Sequence, residues 1–466
     1  MRIPKGYILI LKVDYDKLLN RLSMMDARIK ELEVMLNKDS QNSHKPPSSD
    51  GYKKQIQNNR EKSSRSVGGQ KGHEGKTLQM VEKPDKVIEH KVECCDHCGT
   101  NLQGVLAKKY YRRQVHDLPP IKIEVTEHHV EVKECKLCGK DTIASCDVSA
   151  SVQYGNRIKS MGVYLNQYQM LPFERTRETM EDLFGSSISA EVLQQSNALC
   201  YDNLEQKVEL EIKQAIIVSD VVHSDETGIR CEKSLKWIHV NSTSDHTYYA
   251  IDDKRGKDAM DRIGILPVFK GNSVHDRLAS YDTYNNCQHS YCNAHLLREL
   301  KAEEENKKPW AATMIVVLLD AKILSEQETT TNNAIAEIEK RYDSIIKKAI
   351  KEEPLPIHTP HKRGRKKKTK SLLLLECFRD KKKGVLRFLH DKTVPFDNNL
   401  AERDLRMVKL KQKISGCFRT FKGGQVFCRI RSYISTIRKQ NGQVWEALQT
   451  IMKKSTVDQI IARGCE

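Results

Sequence analysis

The stretch 221-VVHSDETG-228 reads as a short apolar strand that ends on an acid, Asp225, beside a glycine turn. The segments around it, 218-VSDVVHSD-225, 235-LKWIHVNST-243 and 246-HTYYAID-252, are β-branched, aromatic and turn-bounded. A mixed α/β domain is therefore expected from about 216 to 466. Residues from about 300 to 392 interrupt it with helical, charged sequence and the basic run 361-HKRGRKKKTK-370, as an insertion would. Asp276 closes 264-GILPVFKGNSVHD-276 much as Asp225 closes its own strand. Glu402 falls in 395-PFDNNLAERDLRMVKLKQK-413, where helical spacing puts Asn398, Glu402 and Arg406 on one face. Three carboxylates from separate elements suit phosphoryl transfer, in which two Mg2+ ions about 4 Å apart activate the attacking oxygen and stabilise the leaving one. Hard oxygen ligands hold such ions. Spacing alone also allows each acid to be a helix cap, a salt-bridge partner or part of a solvated face, and Asp220 or Asp282 could equally serve.

Upstream, the clearest signal is a repeated pair of cysteines. Cys95 and Cys98 in 95-CDHCG-99, and Cys135 and Cys138 in 135-CKLCG-139, each precede a glycine that lets backbone amides turn towards sulfur. Four thiolates in a closed tetrahedron are the preferred structural site of Zn2+, and the β-like sequence between the pairs suits a zinc ribbon over 77–148. Such a closed set leaves no open position, so this zinc is expected to be structural. Cys94 and His97 are neighbours that lack the repeated spacing.

Further towards the N-terminus, Tyr15, Leu18, Leu22, Met25, Ile29, Leu32 and Leu36 step by threes and fours. The helical segment 1–40 is then either a short dimerising zipper or one amphipathic helix lying on its own chain. Residues 41–76, with Pro46, Pro47 and Gly51, are too polar to pack and read as a disordered linker. Between the ribbon and the α/β domain, 149–215 reads as helical. There 172-PFERTRETMEDLFG-185 begins on a helix-starting proline and ends on a glycine stop, and Ser189 can cap the next helix. Two helices joined by a tight turn resemble a helix-turn-helix, as any helical hairpin does.

Bulk properties fit these parts. The chain has 466 residues, with 79 Lys plus Arg against 62 Asp plus Glu, for a net charge of +17. That favours a polyanionic partner. The apolar stretch 7-YILILKV-13 is broken by Lys12 and lacks a small-residue cleavage site, so no signal peptide is expected. No run approaches the roughly 20 apolar residues of a membrane span. A reducing cytoplasm is the expected compartment, where paired cysteines more often hold metal than bridge.

The wording of the motifs adds a resemblance. The stretches 224-SDETGIR-230, 237-WIHV-240, 274-VHDRLASY-281, 292-CNAHLLRELK-301 and 396-FDNNLAERDLRMVKLKQKISGCFRT-420 look like those of the insertion sequence 66 family of bacterial transposases. So do 43-SHKPPSSDG-51, 68-GGQKGHEGKTL-78 and 171-LPFERTRETMEDLFG-185, in the family's order. The resemblance implies a multidomain α/β protein with a ribonuclease-H-like core broken by a helical insertion, behind a zinc ribbon and a helical DNA-binding region. It implies a DDE triad of Asp225, Asp276 and Glu402 holding two Mg2+ or Mn2+, with Asp282 the alternative to Asp276. Arg403, Arg406, Lys409, Lys411 and Lys413 are expected to contact DNA phosphates. Cys292 and His295 resemble a Cys-x-x-His found between the last two acids in several DDE families, here with Asn293 where tryptophan is frequent. The implied partners are double-stranded DNA, as terminal repeats and target, a second copy of the chain or a higher oligomer, and accessory proteins of the same element. The rival expectations are an inactive DNA-binding repressor or domesticated protein, and a related nuclease that cuts without joining.

Overall fold

The strand signals around Asp225 resolve into one five-stranded mixed sheet. The computed structural model describes residues 12–36, 77–119, 121–148, 150–205, 208–327, 329–353 and 368–463. Helix α1 spans Lys12–Leu36, while the linker expected at 41–76 lies outside the described residues. So does most of the basic run after His361. Strands β1 (Val132–Glu134) and β2 (Asp141–Ile143) form a small antiparallel hairpin. Then come α2 (Asn156–Val163), continued by a π-helical turn, α3 (Phe173–Phe184), α4 (Ala190–Glu205) and α5 (Val208–Ile217).

The sheet follows: β3 (Val221–Cys231), β4 (Ser234–Ser242), β5 (Thr247–Asp252), then α6 (Lys257–Ile263), β6 (Asn272–His275) and β7 (Gln288–Tyr291). Its order is β5-β4-β3-β6-β7. β3, β4 and β5 form an antiparallel meander, whereas β6 and β7 run parallel to β3. The meander turns at Glu232 and Lys233, both with positive φ, the twist a two-residue hairpin needs. At Gly271 the chain enters β6 so close to β3 that a Cβ would lie 2.4 Å from the Asp220 carbonyl oxygen.

After β7 the helices α7 (Asn293–Glu305), α8 (Pro309–Ser325), α9 (Asn332–Glu352), α10 (Lys370–Asp380), α11 (Lys382–Val385) and α12 (Arg387–His390) pack together around Leu318, Tyr342 and Phe378. The chain returns to the sheet through α13 (Asn399–Ser415) and α14 (Phe421–Lys439), and ends in α15 (Val444–Arg463). Side chains alternate across a strand, so β3 feeds two cores. Ile229 and Cys231 pack with Ala401, Leu405 and Val408 of α13, while Val222 packs with Met260 and Ile263 of α6 on the other face. That alternation sends Asp225 to the α13 face.

No helix among the described residues is long and apolar enough to cross a membrane.

Candidate active site

Asp225 sits in the middle of β3, which corrects the expectation of a strand end. Pairing with β4 continues from His223↔Ser242 to Cys231↔Ser234, so the strand runs on to the hairpin. What stops near Asp225 is the parallel pairing, whose last partners are His223 and Val274. The crevice outside the carboxyl ends of parallel strands is where open α/β sheets place ligands. Asp276 follows β6 directly, its Oδ1 accepting the Leu278 N–H at 2.8 Å. Glu402 lies in the first turn of α13, its Oε1 buried with no hydrogen-bond partner and 3.6 Å from His295 Nδ1.

The three acids share one electrostatic environment. Burial pushes the Asp225 carboxyl well above the ordinary carboxylate range, and the charges of Glu226, Asp276 and Glu402 push it further. One backbone N–H, that of Glu226 at 2.8 Å, works the other way. Arg255, the cation 3.9 Å from Asp276, is committed to Glu226 at 2.7 Å. A buried carboxyl, a buried orphan oxygen and a third carboxylate are hard oxygen donors of the kind a divalent cation takes. The three do not gather three ligand atoms within 4.8 Å of one another; the described residues that do so are Cys292, His295 and Glu402, and His275, Asp282 and His289.

Asp282 stands apart from this group. Its carboxylate binds Lys381 and accepts the Tyr291 hydroxyl at 2.5 Å, and these partners hold it below the ordinary carboxylate range against the cost of burial.

The family model described as Transposase IS66 family matches residues 151–426, more than half of the chain and a span that contains Asp225, Asp276 and Glu402. The chain belongs to that family. Transposases of this kind act on DNA, the partner that the family implies. A second model, a family of unknown function designated DUF6444, matches residues 8–79, and no curated protein matches the chain.

In this IS66 family member several site residues carry no sequence signal that was read as functional. Asn398, expected to share a face with Glu402, instead turns into the sheet. Its Nδ2 donates to the Ser224 carbonyl at 2.8 Å, and its Oδ1 accepts from His223 Nδ1 at 2.9 Å. Its N–H reaches the Cys292 Sγ at 3.2 Å, so the start of α13 is pinned beside Asp225 and beside the Cys-x-x-His together. Asp404, one turn on, accepts from Ser242, Thr247 and Lys439 and ties α13 to β4, β5 and α14. Glu226, the second acid of the DETG stretch, faces away from α13 and is held by Arg255 and by the Tyr281 hydroxyl at 2.6 Å. Alternation along a strand was the available clue, since adjacent acids cannot face the same side.

Asn398→Ala leaves buried groups on His223 and Ser224 unpaired, at about 2–4 kcal/mol. Cleavage is expected to fall roughly 10²-fold as Glu402 moves out of register. Urea melts and a metal-dependent cleavage assay read the two effects; a variant as stable as wild type removes the pinning role.

The five basic residues of α13 do not act as one set. Arg406, Lys409 and Lys413 follow Glu402 at helical spacing and are exposed, as is Arg403. Lys409 donates to the Gly228 carbonyl at 3.0 Å. Lys411, nine residues or about two and a half turns from Glu402, lies on the opposite side over the Phe418 ring, and burial pushes its ammonium down to about 8. If the Glu402 face carries DNA, Arg406→Gln with Lys413→Gln lowers the slope of log affinity against log salt by about 2, and Lys411→Gln leaves it unchanged. Equal slopes for all three proteins would remove the face from the DNA path.

The other expected site features lie outside the acid cluster. Each cysteine pair folds as the same turn: the N–H groups of Gly99 and Gly139 donate to the carbonyls of Cys95 and Cys135 at 2.9 and 2.7 Å, and both glycines have positive φ. Hydrogen bonds push two of the thiols below their ordinary value, chiefly from Thr100 at Cys98 and from the Cys138 and Leu137 backbone at Cys135. The two turns do not form a common four-sulfur cluster. Helix α3 runs between Pro172 and Gly185, and Ser189 Oγ accepts the Val192 N–H at 3.2 Å. The exposed charges of this helical pair are Glu174, Arg175, Glu178, Glu181, Asp182, Glu191, Asp202 and Glu205, a surface that repels phosphate.

Proposed function

We propose that this chain is a DDE transposase that cleaves DNA at the ends of an insertion element and joins the freed ends to a target. The observation that carries the reading is Asp225, whose carboxyl is pushed up first by burial and the charge of Glu226, and further by Asp276 and Glu402, the two other acids of the triad. A ribonuclease-H-like core is supported by the sheet, a three-strand antiparallel meander followed by two strands parallel to its first, and by the helices interposed between β7 and α13. Asp225, Asp276 and Glu402 would hold two Mg2+ or Mn2+ ions, which when bound activate the attacking oxygen and stabilise the leaving one. Two ions would be held by different pairs of these acids, so the three need not meet at a common point. His295 backs Glu402 and limits its rotamers, and the exposed arginines and lysines of α13 neutralise phosphates leading to the acids.

The end-recognition role falls to the ribbon in preference to the acidic surface of α3 and α4. Its segment 108-KKYYRR-113 is exposed and interleaves cations with Tyr110 and Tyr111. The repeated knuckle turns support one structural Zn2+, bound by Cys95, Cys98, Cys135 and Cys138 once the two turns close on each other. The zipper reading of α1 is supported by the exposure of Tyr15, Leu18, Leu22, Met25, Ile29 and Leu32 among the described residues. A second copy would bury them and pair two DNA ends.

The test is purified protein with labelled duplexes carrying the element's ends, plus Mg2+ or Mn2+ and a target plasmid. Cleaved and joined products are expected. Cleavage without joining would make the protein a nuclease, and binding with neither product would make it a repressor.

A further inference from the structure

Behind Asp276, two histidines turn ring nitrogens towards each other. The parallel register sets His275 opposite Tyr291, so His289, two residues before Tyr291, lies diagonally beside His275. The Nδ1 of His275 bonds the Asp276 carbonyl and the Nε2 of His289 bonds the Tyr284 carbonyl at 2.9 Å. A carbonyl only accepts, so each of these nitrogens carries the ring's proton. The remaining nitrogens, His275 Nε2 and His289 Nδ1, then both offer lone pairs unless a ring takes up a second proton, yet they face each other at 2.9 Å. Two lone pairs at that distance repel unless a cation sits between or beside them. The Asp282 carboxylate completes a set of three ligand atoms within 4.8 Å of one another.

We propose that His275 Nε2, His289 Nδ1 and the Asp282 carboxylate bind a transition-metal ion of the zinc class, separate from the ions of the triad and from the cysteine turns. Both rings carry the mark of metal-binding histidines, which donate their other N–H to a backbone carbonyl and so fix the tautomer. A tetrahedral ion about 2.05 Å from each nitrogen sets them about 3.3 Å apart, so the pair opens by only a few tenths of an ångström. Asp282 has spare capacity: a carboxylate offers about four lone-pair sites, and Tyr291 and Lys381 use two. Lys381 neutralises that carboxylate, so the ion is held chiefly by two imidazoles. That suits Zn2+, Co2+ or Ni2+ and disfavours Mg2+. Three protein ligands leave a fourth position for water. The ion would lock the end of β6, because His275 also grips the carbonyl of Asp276; its role is to position that acid.

Metal content of the full chain, measured by plasma mass spectrometry after dialysis, tests the site. The Cys95→Ser, Cys135→Ser protein is expected to retain one equivalent of zinc-class metal per chain, and adding His289→Gln is expected to remove it. A protein that holds no such metal and takes up no Co2+ when offered it overturns the proposal, and leaves a proton shared between the rings. Metal that survives His289→Gln also overturns it, and assigns the ion to Cys292, His295 and Glu402. Cadmium-113 NMR of the unsubstituted, Cd2+-loaded chain guards against misfolded variants. A resonance in the nitrogen and oxygen range is expected beside any thiolate resonance, and a thiolate resonance alone counts against the site.

Discussion

Asp225→Asn is expected to lower strand cleavage by roughly 10³-fold or more and, in the same protein, to raise the stability of the metal-free fold at neutral pH. The activity loss follows from the proposed role: a residue that would hold the catalytic ions supports several kcal/mol of transition-state charge stabilisation, and each 1.36 kcal/mol is tenfold in rate. The stability gain follows from the same geometry. The folded-state carboxyl of Asp225 is raised by burial and then by Glu226, Asp276 and Glu402. A group raised in this way contributes stability that is fully present below its unfolded value, about 3.9, and is lost as pH rises through the folded value. The neutral amide never incurs that loss. Wild type and variant should therefore melt together near pH 4 in chelator, and the variant should melt higher as pH rises towards 8. Mn2+ should then raise the melting temperature of wild type and leave that of the variant almost unmoved. A variant that melts below wild type at pH 7 without metal would remove the crowding of charge around Asp225.

Much of this arrangement was legible before any coordinates, and the parts that were not share a cause. The segments 235–243 and 246–252 correspond to β4 and β5 nearly residue for residue, because their β-branched and aromatic composition is a local signal. The extension of β3 past Asp225 was missed, since it depends on pairing with β4 through a turn at Glu232 and Lys233 that has neither glycine nor asparagine. Alternation along β3 makes the opposite facing of Asp225 and Glu226 readable from the sequence. Asn398 looked like a helix-face residue, and only the docking of α13 against β3 turns it to His223 and Ser224. Likewise, Cys292 and His295 gain their meaning where the start of α7 meets Glu402, 107 residues beyond His295. Contacts of that separation depend on tertiary packing, which periodicity does not encode.

The choice between Asp276 and Asp282, which spacing left open, separates into two opposite expected phenotypes. Asp276→Asn should cost cleavage roughly 10³-fold, comparable with Asp225→Asn. Asp276 adds to the charge on Asp225, and among the described residues its carboxylate meets one backbone N–H and, at 3.9 Å, Arg255, so its removal disturbs little else. Thermal stability should change by less than about 1 kcal/mol. Asp282→Asn should do the reverse. It strands Lys381 and weakens the Tyr291 bond, at a cost on the order of 1–2 kcal/mol for a half-buried pair, while cleavage at saturating Mg2+ stays within about tenfold of wild type. The residual loss reflects looser support of β6 beneath Asp276. Melting curves and initial cleavage rates on the two purified variants decide the matter. If Asp282→Asn is dead and stable while Asp276→Asn is active, the second acid of the triad is Asp282, and Lys381 must leave it when the ions bind.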